Sequence, residues 1–324
     1  MAKSVFRPWG NLNWLTSKLS ETQWCLYGCL STEERCRAVF QSLVENKILA
    51  RELFVEIKDP EETEEHEIRR TENKESLQQI NQALEIESHF LLEPLNKIVD
   101  SITLFLKRSN GNIILDISCL PKRFFFPIIK FILREKELKN FIVCYTSPGT
   151  YPETNLSDNP QPWMPIPSFR SDDEDGTEVA IIGVGFMPLG LPDVLGSDGN
   201  RKKQVSLLFP FPPGPPYYQR TWNFVKEINE YRPIQAKELV RIDAKNISEV
   251  FDKICAISEN GNKKVLFAPF GPKTFSLAMC LHACQSNSSV YYTQPMYYNP
   301  NYSEGYGETL GYSIVLNGQN LYSL

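Results

Sequence analysis

The chain has 324 residues, 42% of them hydrophobic and 23% charged, with a net charge of −5. That balance is globular and sufficient for one or two well-packed α/β-sized domains without disulfide or metal staples. It is too acidic for broad, sequence-independent nucleic-acid binding, while leaving room for a small local basic pocket. Eight cysteines lie mostly inside apolar runs, where free cysteine acts as a small hydrophobe, and no CxxC pair or zinc-like spacing accompanies them. Neither a metal site nor a cofactor is expected, and a reducing compartment fits. The first residues carry no apolar run of signal-peptide length, and nowhere do 18 apolar residues run together. These features predict a cytoplasmic protein with no membrane contact.

From the N-terminus, short β-rich apolar runs at residues 24–30, 52–57, 112–117 and 141–146 alternate with helical patterns at 32–45, 74–108 and 123–135. Two charged or proline-rich stretches interrupt them: an acidic linker at 59–75 and a loop at 148–176 that ends in an acid cluster. Trp163, Met164 and Phe169 inside the second stretch predict that part of it packs down. Further strands are predicted at 179–185, 205–209, 239–243, 264–268 and 290–293, with helices at 216–230, 247–258 and 274–283. Strands separated by helices imply βαβ units and a mostly parallel sheet. The predicted partition is a first half over 1–150, a connecting loop over 151–177, and a second half over 178–324 with a tyrosine-rich C-terminal loop.

The two halves resemble each other. An apolar strand leads to Pro121-Lys122-Arg123-Phe124 in the first and to Gly271-Pro272-Lys273-Thr274-Phe275 in the second. A helix follows, then a strand ending Tyr145-Thr146-Ser147-Pro148 or Tyr292-Thr293-Gln294-Pro295. The Pro-to-Tyr spacing is 24 residues in one copy and 20 in the other. Upstream, Ala50-Arg51-Glu52-Leu53 is echoed by Ala236-Lys237-Glu238-Leu239. The order of these matches predicts an internal duplication: two Rossmann-like halves around a pseudo-twofold axis, presenting equivalent loops to one shared cleft.

In such sheets ligands bind beyond the carboxyl ends of the strands. Proline suits a first helical turn, but a lysine there faces the positive end of the helix dipole and costs a few tenths of a kcal/mol to about 1. Lys122 and Lys273 at both steps, with Arg123 beside one, therefore predict an anion opposite them, or else lysines that pair with a nearby carboxylate or simply reach water. Tyr145, Thr146, Tyr292 and Thr293 are candidates for holding sugar or base, or are ordinary strand-formers. Asp116, ahead of Ser118 and Lys122, is a candidate acid–base group, or else anchors Lys122 or caps a turn, and Asp243 has similar standing. Aligned on the Pro-Lys steps, Phe267 falls opposite Asp116 and Pro269 opposite Ser118. The six tyrosines of residues 291–306 suggest a planar ligand or a partner protein, and residues 151–175 are a second candidate docking segment.

Gly183-Val184-Gly185 follows a strand, but Pro188 and the spacing to Gly190 break the dinucleotide GxGxxG pattern. Neither GxxxxGK[ST] nor GxSxG occurs, and the three histidines, His66, His89 and His282, lie in the linker or in helical patterns, so Ser–His and Cys–His catalysis have little support. Duplicated Rossmann-like halves with FAPFGPKTF (Gly271, Lys273) and DISCLPKRF (Asp116, Ser118, Lys122) resemble bacterial CRISPR-associated Rossmann-fold (CARF) sensors and the SAVED domains of antiphage systems. That resemblance implies a cyclic or linear oligonucleotide second messenger as ligand, an effector or partner protein, and a role in antiviral defence. Three readings follow: a nucleotide-like ligand sensor, an enzyme on a phosphorylated or nucleoside substrate using Asp116 or Asp243, and a non-catalytic scaffold subunit.

Overall fold

The computed structural model describes residues 6–19, 21–172, 176–191, 195, 204–211 and 217–324. Chain contacts divide it into two compact units, residues 1–159 with 295–321, and residues 160–294 with 322–324. The tyrosine-rich segment after Gln294 thus belongs to unit 1, whereas the sequence partition assigns it to the second half.

Unit 1 opens with β1 (Trp9–Asn11) and α1 (Leu12–Ser17), followed by β2 (Trp24–Leu30), a 3-10 turn (Glu34–Arg37) and α2 (Ala38–Glu45). Next come β3 (Leu49–Lys58), α3 (Glu64–Ile80), β4 (Ile86–Phe90) and α4 (Leu95–Lys107). β5 (Asn112–Asp116), α5 (Lys122–Ile132) and β6 (Asn140–Thr150) complete the parallel part, and β7 (Ser157–Pro160) follows. Unit 2 contains β8 (Met164–Pro165), β9 (Val179–Gly183), β10 (Gln204–Phe211), α6 (Tyr217–Tyr231), β11 (Leu239–Asp243), α7 (Ile247–Ile257), β12 (Val265–Pro269), α8 (Lys273–Ala283) and β13 (Ser289–Tyr292). The chain then returns to unit 1 with β14 (Pro295–Tyr298), which pairs with β7, then β15 (Glu304–Leu316) and β16 (Gln319–Asn320).

The protein is α/β, built on mostly parallel sheets. In unit 1 the parallel strands lie in the order β4-β3-β2-β5-β6, with antiparallel β15 and β1 added beyond β6. In unit 2 the order is β11-β10-β9-β12-β13, with antiparallel β8 added beyond β13. Counted along the chain, both sheets read third-second-first-fourth-fifth, the Rossmann order, and each has a switch point between its first and fourth strands. The central strand β2 (WCLYGCL) is buried along its whole length, as a parallel strand covered on both faces must be. One face packs Trp24, Phe40, Leu43, Phe54 and Ile114 into a continuous core.

The Pro-Lys steps occupy equivalent places in the two units, after the fourth strand. The Tyr-Thr steps do so only in part: Tyr292 ends β13, whereas Tyr145 and Thr146 lie inside β6, which runs on to Thr150 because β15 pairs with it there. The Ala50–Leu53 echo does not correspond: its first copy opens the second strand of unit 1, and its second copy leads into the third strand of unit 2. Asp116 ends its strand as Pro269 does, so those two positions correspond, rather than Asp116 and Phe267.

Three element predictions are corrected. The acidic linker is largely helical, because α3 starts at Glu64 with Thr63 and His66 forming a reciprocal cap and three glutamates in its first turn. The long helix predicted over 74–108 is two helices separated by β4, with Pro94 capping the second. The predicted C-terminal loop contains the longest strand described, β15. By contrast, the proline-rich stretch does pack down: Ile166 and Phe169 are buried, and Trp163 stacks on Tyr291 at 5.4 Å between centroids. The acid cluster 173–175 and the proline-rich residues 212–216 lie outside the described residues.

Candidate functional site

At the switch point of unit 1, the loops leaving β2 and β5 bring a polar cluster beneath the sheet edge. Asp116, 3% exposed, accepts hydrogen bonds from the Ser118 backbone N–H (2.9 Å) and from the Ser118 hydroxyl. Ser118 Oγ in turn accepts from the Thr146 N–H at 2.7 Å, tying the fourth strand's exit to the fifth strand. Thr146 Oγ1 meets Thr309 Oγ1 of β15 at 2.9 Å. Asp116 therefore anchors a loop, with the geometry of an Asx turn and no opening to solvent.

Two residues not singled out in the sequence complete this cluster. Arg35, 2% exposed, donates from Nε and Nη2 to the two oxygens of Glu33 at 2.9 and 3.0 Å, and from Nη1 to the Thr146 carbonyl at 3.1 Å. Glu33 also accepts from Ser303 Oγ at 2.5 Å. Burial works against the guanidinium's charge, and the Glu33 carboxylate more than offsets it, leaving the Arg35 pKa above the ordinary arginine range. The Arg35 guanidinium lies 5.8 Å from the Tyr145 ring centroid. The sign in the sequence was a Glu-x-Arg triplet in the loop after the first parallel strand, where a bidentate pair fits.

Lys122 opens α5 behind Pro121, with no side-chain cap and no acid in the first turn. Arg123 is half-buried: Nη2 donates to the Glu93 carbonyl at 3.4 Å, Nε has no partner, and burial pulls its pKa down. Burial pushes the neighbouring thiols up, Cys36 to about 12, which keeps them unreactive.

Unit 1 also holds a cleft of about 580 Å³ at the carboxyl ends of β2 and β3, lined by Leu30, Glu56, Lys58, Glu62, Arg70 and Lys74 among others. Buried Arg70 spans it, paired with Glu62 at 2.7 Å and Glu56 at 3.2 Å. Nearby Asp59 has its carboxyl pushed up to about 7 by burial and by Glu62.

In unit 2 the same switch point is formed by backbone. A Cβ on Gly185 would stand 2.1 Å from the Phe270 carbonyl oxygen, and one on Gly271 would stand 3.0 Å from the Val184 oxygen. Glycine at both positions lets the loops after β9 and β12 meet, which accounts for the broken GxGxxG stretch without a dinucleotide. Lys273 opens α8 behind Pro272, again with neither a side-chain cap nor a first-turn acid. At the end of the neighbouring strand, Thr293 is 4% exposed and its Oγ1 has no hydrogen-bond partner. Tyr292 is buried with its ring 5.2 Å from Phe270, so it serves packing. Asp243 is exposed at the end of β11, where Oδ1 accepts from the Lys245 N–H at 2.8 Å.

The histidines are structural. His66 is buried, with Nδ1 at the Thr63 cap and Nε2 2.7 Å from the Tyr298 carbonyl. His89 is buried beside Glu93. His282 sits between Ser258 and Ser286 at 2.8 and 3.1 Å, and burial pushes its pKa down to about 4. Among the described residues no group of three or more His, Cys, Asp or Glu could hold a metal ion, and no helix is long and apolar enough to cross a membrane.

The fold and these switch-point loops define the class: an α/β protein with two Rossmann-ordered sheets. Comparison takes this no further. No family model matches the chain, and no curated protein matches it. Among solved structures it is similar to one described as "Putative Universal Stress Protein from Pseudomonas aeruginosa UCBPP-PA14", at 10% identity over 86% of this chain and 95% of that one, with a TM-score of 0.26. A likeness at that level carries no argument about function.

Proposed function

We propose that the protein binds a nucleotide-like anion at the strand-to-helix steps that follow the fourth strands of its units. The observation that carries this reading is the lysine placed first in both α5 and α8, each behind a proline N-cap, with no side-chain cap and no acid in either first turn. A helix start normally attracts acids and repels cations, so two such starts at equivalent switch points suit a negatively charged ligand. In unit 1, Lys122 and Arg123 meet phosphate, with Ser118, Tyr145 and Thr146 alongside; in unit 2, Gly271 and Lys273 do so. Thr293, with its buried hydroxyl at the next strand end, supplies a polar contact there. Tyr292, packed on Phe270, supports that strand end.

An oligonucleotide second messenger is the finer form of this proposal, in keeping with the CARF- and SAVED-like motifs, with a defence partner docking through residues 151–175 or 291–306. The catalytic reading draws less support, since Asp116 is committed to Ser118 and Asp243 to a surface turn.

The test is a thermal-shift screen against nucleotides, dinucleotides and cyclic oligonucleotides, repeated with Lys122→Glu/Lys273→Glu. Ligand at 100 times its dissociation constant stabilises the native state by about 2.7 kcal/mol. Loss of that shift in the variant supports the assignment; an unchanged shift removes it.

A further inference from the structure

The pair β7–β14 forms a two-stranded sheet of its own, outside both parallel sheets. Such a ribbon is marginally stable alone, so its order depends on what holds it down. In unit 1 the holding side chains come from the junction of β3 and α3. His66 Nε2 lies 2.7 Å from the Tyr298 carbonyl oxygen, and the His66 ring stands edge-on to Tyr297 at 5.6 Å. On the other side of the same residue, the Tyr298 N–H donates to the Asp59 carboxyl. Glu61 accepts from Asn159 of β7; Asn301, just past β14, donates to Glu65 at 2.7 Å and accepts from Arg69. Both backbone groups of Tyr298 are thus held by side chains that can gain or lose a proton. His66 Nδ1 accepts from the Thr63 N–H at 3.0 Å, so Nε2 carries the proton that the Tyr298 carbonyl accepts, and the neutral ring is the form that fits.

We propose that Asp59 and His66 form a proton-controlled latch on β14: a neutral Asp59 keeps the tyrosine-rich ribbon docked on α3, and ionisation of Asp59 loosens it as pH rises. The charge count around Asp59 carries this. From its own loop it faces Glu62, whose Oε1 accepts from the Asp59 N–H at 2.9 Å. From α3 it faces Arg70, which is already shared between Glu62 at 2.7 Å and Glu56 at 3.2 Å. Its neighbour Lys58 lines the cleft of unit 1. Asp59 is therefore the third acid around one guanidinium, and its ionised form is the surplus charge. Burial and Glu62 hold the docked carboxyl up at about 7, against 3.8 for an aspartate in water. The docked state binds the proton more tightly than the released one, so docking weakens as pH climbs from 3.8 towards 7 and is level above that. Release turns Tyr297 and Tyr298 to solvent. The latch is independent of the lysines that open α5 and α8.

Hydrogen–deuterium exchange of residues 295–303 in the full chain, corrected for the intrinsic pH dependence of exchange, reads the docking equilibrium from about pH 6 to about pH 8.5. Residues 24–30 of the buried strand β2 are the internal reference. Asp59→Asn keeps an uncharged acceptor for the Tyr298 N–H and leaves His66 in place, so the ratio of wild-type to variant protection isolates Asp59. That ratio is expected to fall about tenfold across the range, most of it below about pH 7.5, while the reference is unchanged. Glu62→Gln removes one of the three acids and keeps Asp59, so protection levels off at a lower pH than in the wild type. A ratio that stays constant across the range overturns the proposal, as does a wild-type ribbon that is unprotected at every pH. If Asp59→Asn does not fold, the wild type and Glu62→Gln decide: levelling at the same pH in both, or no fall in either, overturns it.

Discussion

Arg35→Met tests the buried core of the unit 1 switch point. The substitution keeps the volume near that of the arginine stem and removes the guanidinium, so the Glu33 carboxylate, 6% exposed, stays in the interior without its bidentate partner. The Thr146 carbonyl loses its Arg35 contact as well. Breaking one side of a buried pair costs about 3–5 kcal/mol, whereas replacing both sides with apolar groups is often close to neutral. In urea, with a slope of about 2–3 kcal/mol per molar, 4 kcal/mol lowers the midpoint of the unit 1 transition by roughly 1.5 M. Glu33→Met/Arg35→Met recovers most of that loss, and the double-mutant cycle gives a coupling of about 2 kcal/mol or more. Tyrosine and tryptophan fluorescence report the transition, with the slope checked for constancy. A loss under about 1 kcal/mol in Arg35→Met would show that the pair is not buried as described.

Three further outcomes follow from particular contacts. His282 has its folded pKa depressed to about 4 from 6.5, so its contribution is complete above pH 6.5 and fades as pH falls toward 4, to a limit of about 3 kcal/mol; His282→Gln flattens the melting-temperature profile over that window, and an identical profile in the variant contradicts the assignment. Gly185→Ala forces a Cβ against the Phe270 carbonyl and lowers the stability of unit 2 by about 1–3 kcal/mol, read by urea denaturation. Asp116→Asn keeps an acceptor for Ser118 and costs less than about 1 kcal/mol, while Asp116→Ala leaves Ser118 N–H without it and costs about 1–3, so equal losses in the two would argue for a role of the charge itself.

The parallel strands other than β4 were legible because burial on both faces leaves unbroken apolar runs such as WCLYGCL and NIILD, and turn residues bound them; β4, an edge strand that is mostly not buried, leaves no such run. α3 was not legible, because its inward stripe, His66, Arg70, Asn73 and Leu77, is mostly polar and makes no hydrophobic period. Its cap signature of Thr63 followed by three early glutamates was available and outranks periodicity in such a helix. Pro94, inside the predicted long helix, was the signal for a new helix start. β15 was hidden by its three glycines and by tyrosines that suggested a loop. Gly311 is needed there because a Cβ would meet Leu15 at 2.9 Å. Of the candidate site, the Pro-Lys steps and a turn capped by Asp116 lie on local motifs and were readable, whereas the Ser118–Thr146 link spans 28 residues and was not. Glu33 and Arg35 were not: their partners, Thr146 and Ser303, are 111 and 270 residues away in the chain, and only the folded sheet brings them together.

The central claim is that the lysines opening α5 and α8 hold a nucleotide-like anion, and calorimetric titration of ATP and a cyclic dinucleotide into the wild type and Lys122→Glu/Lys273→Glu tests it most directly. The account predicts saturable binding to the wild type, loss of binding in the variant, and matching urea transitions for the two unliganded proteins. Saturable binding of the same strength to both proteins, or none to the wild type, would contradict it.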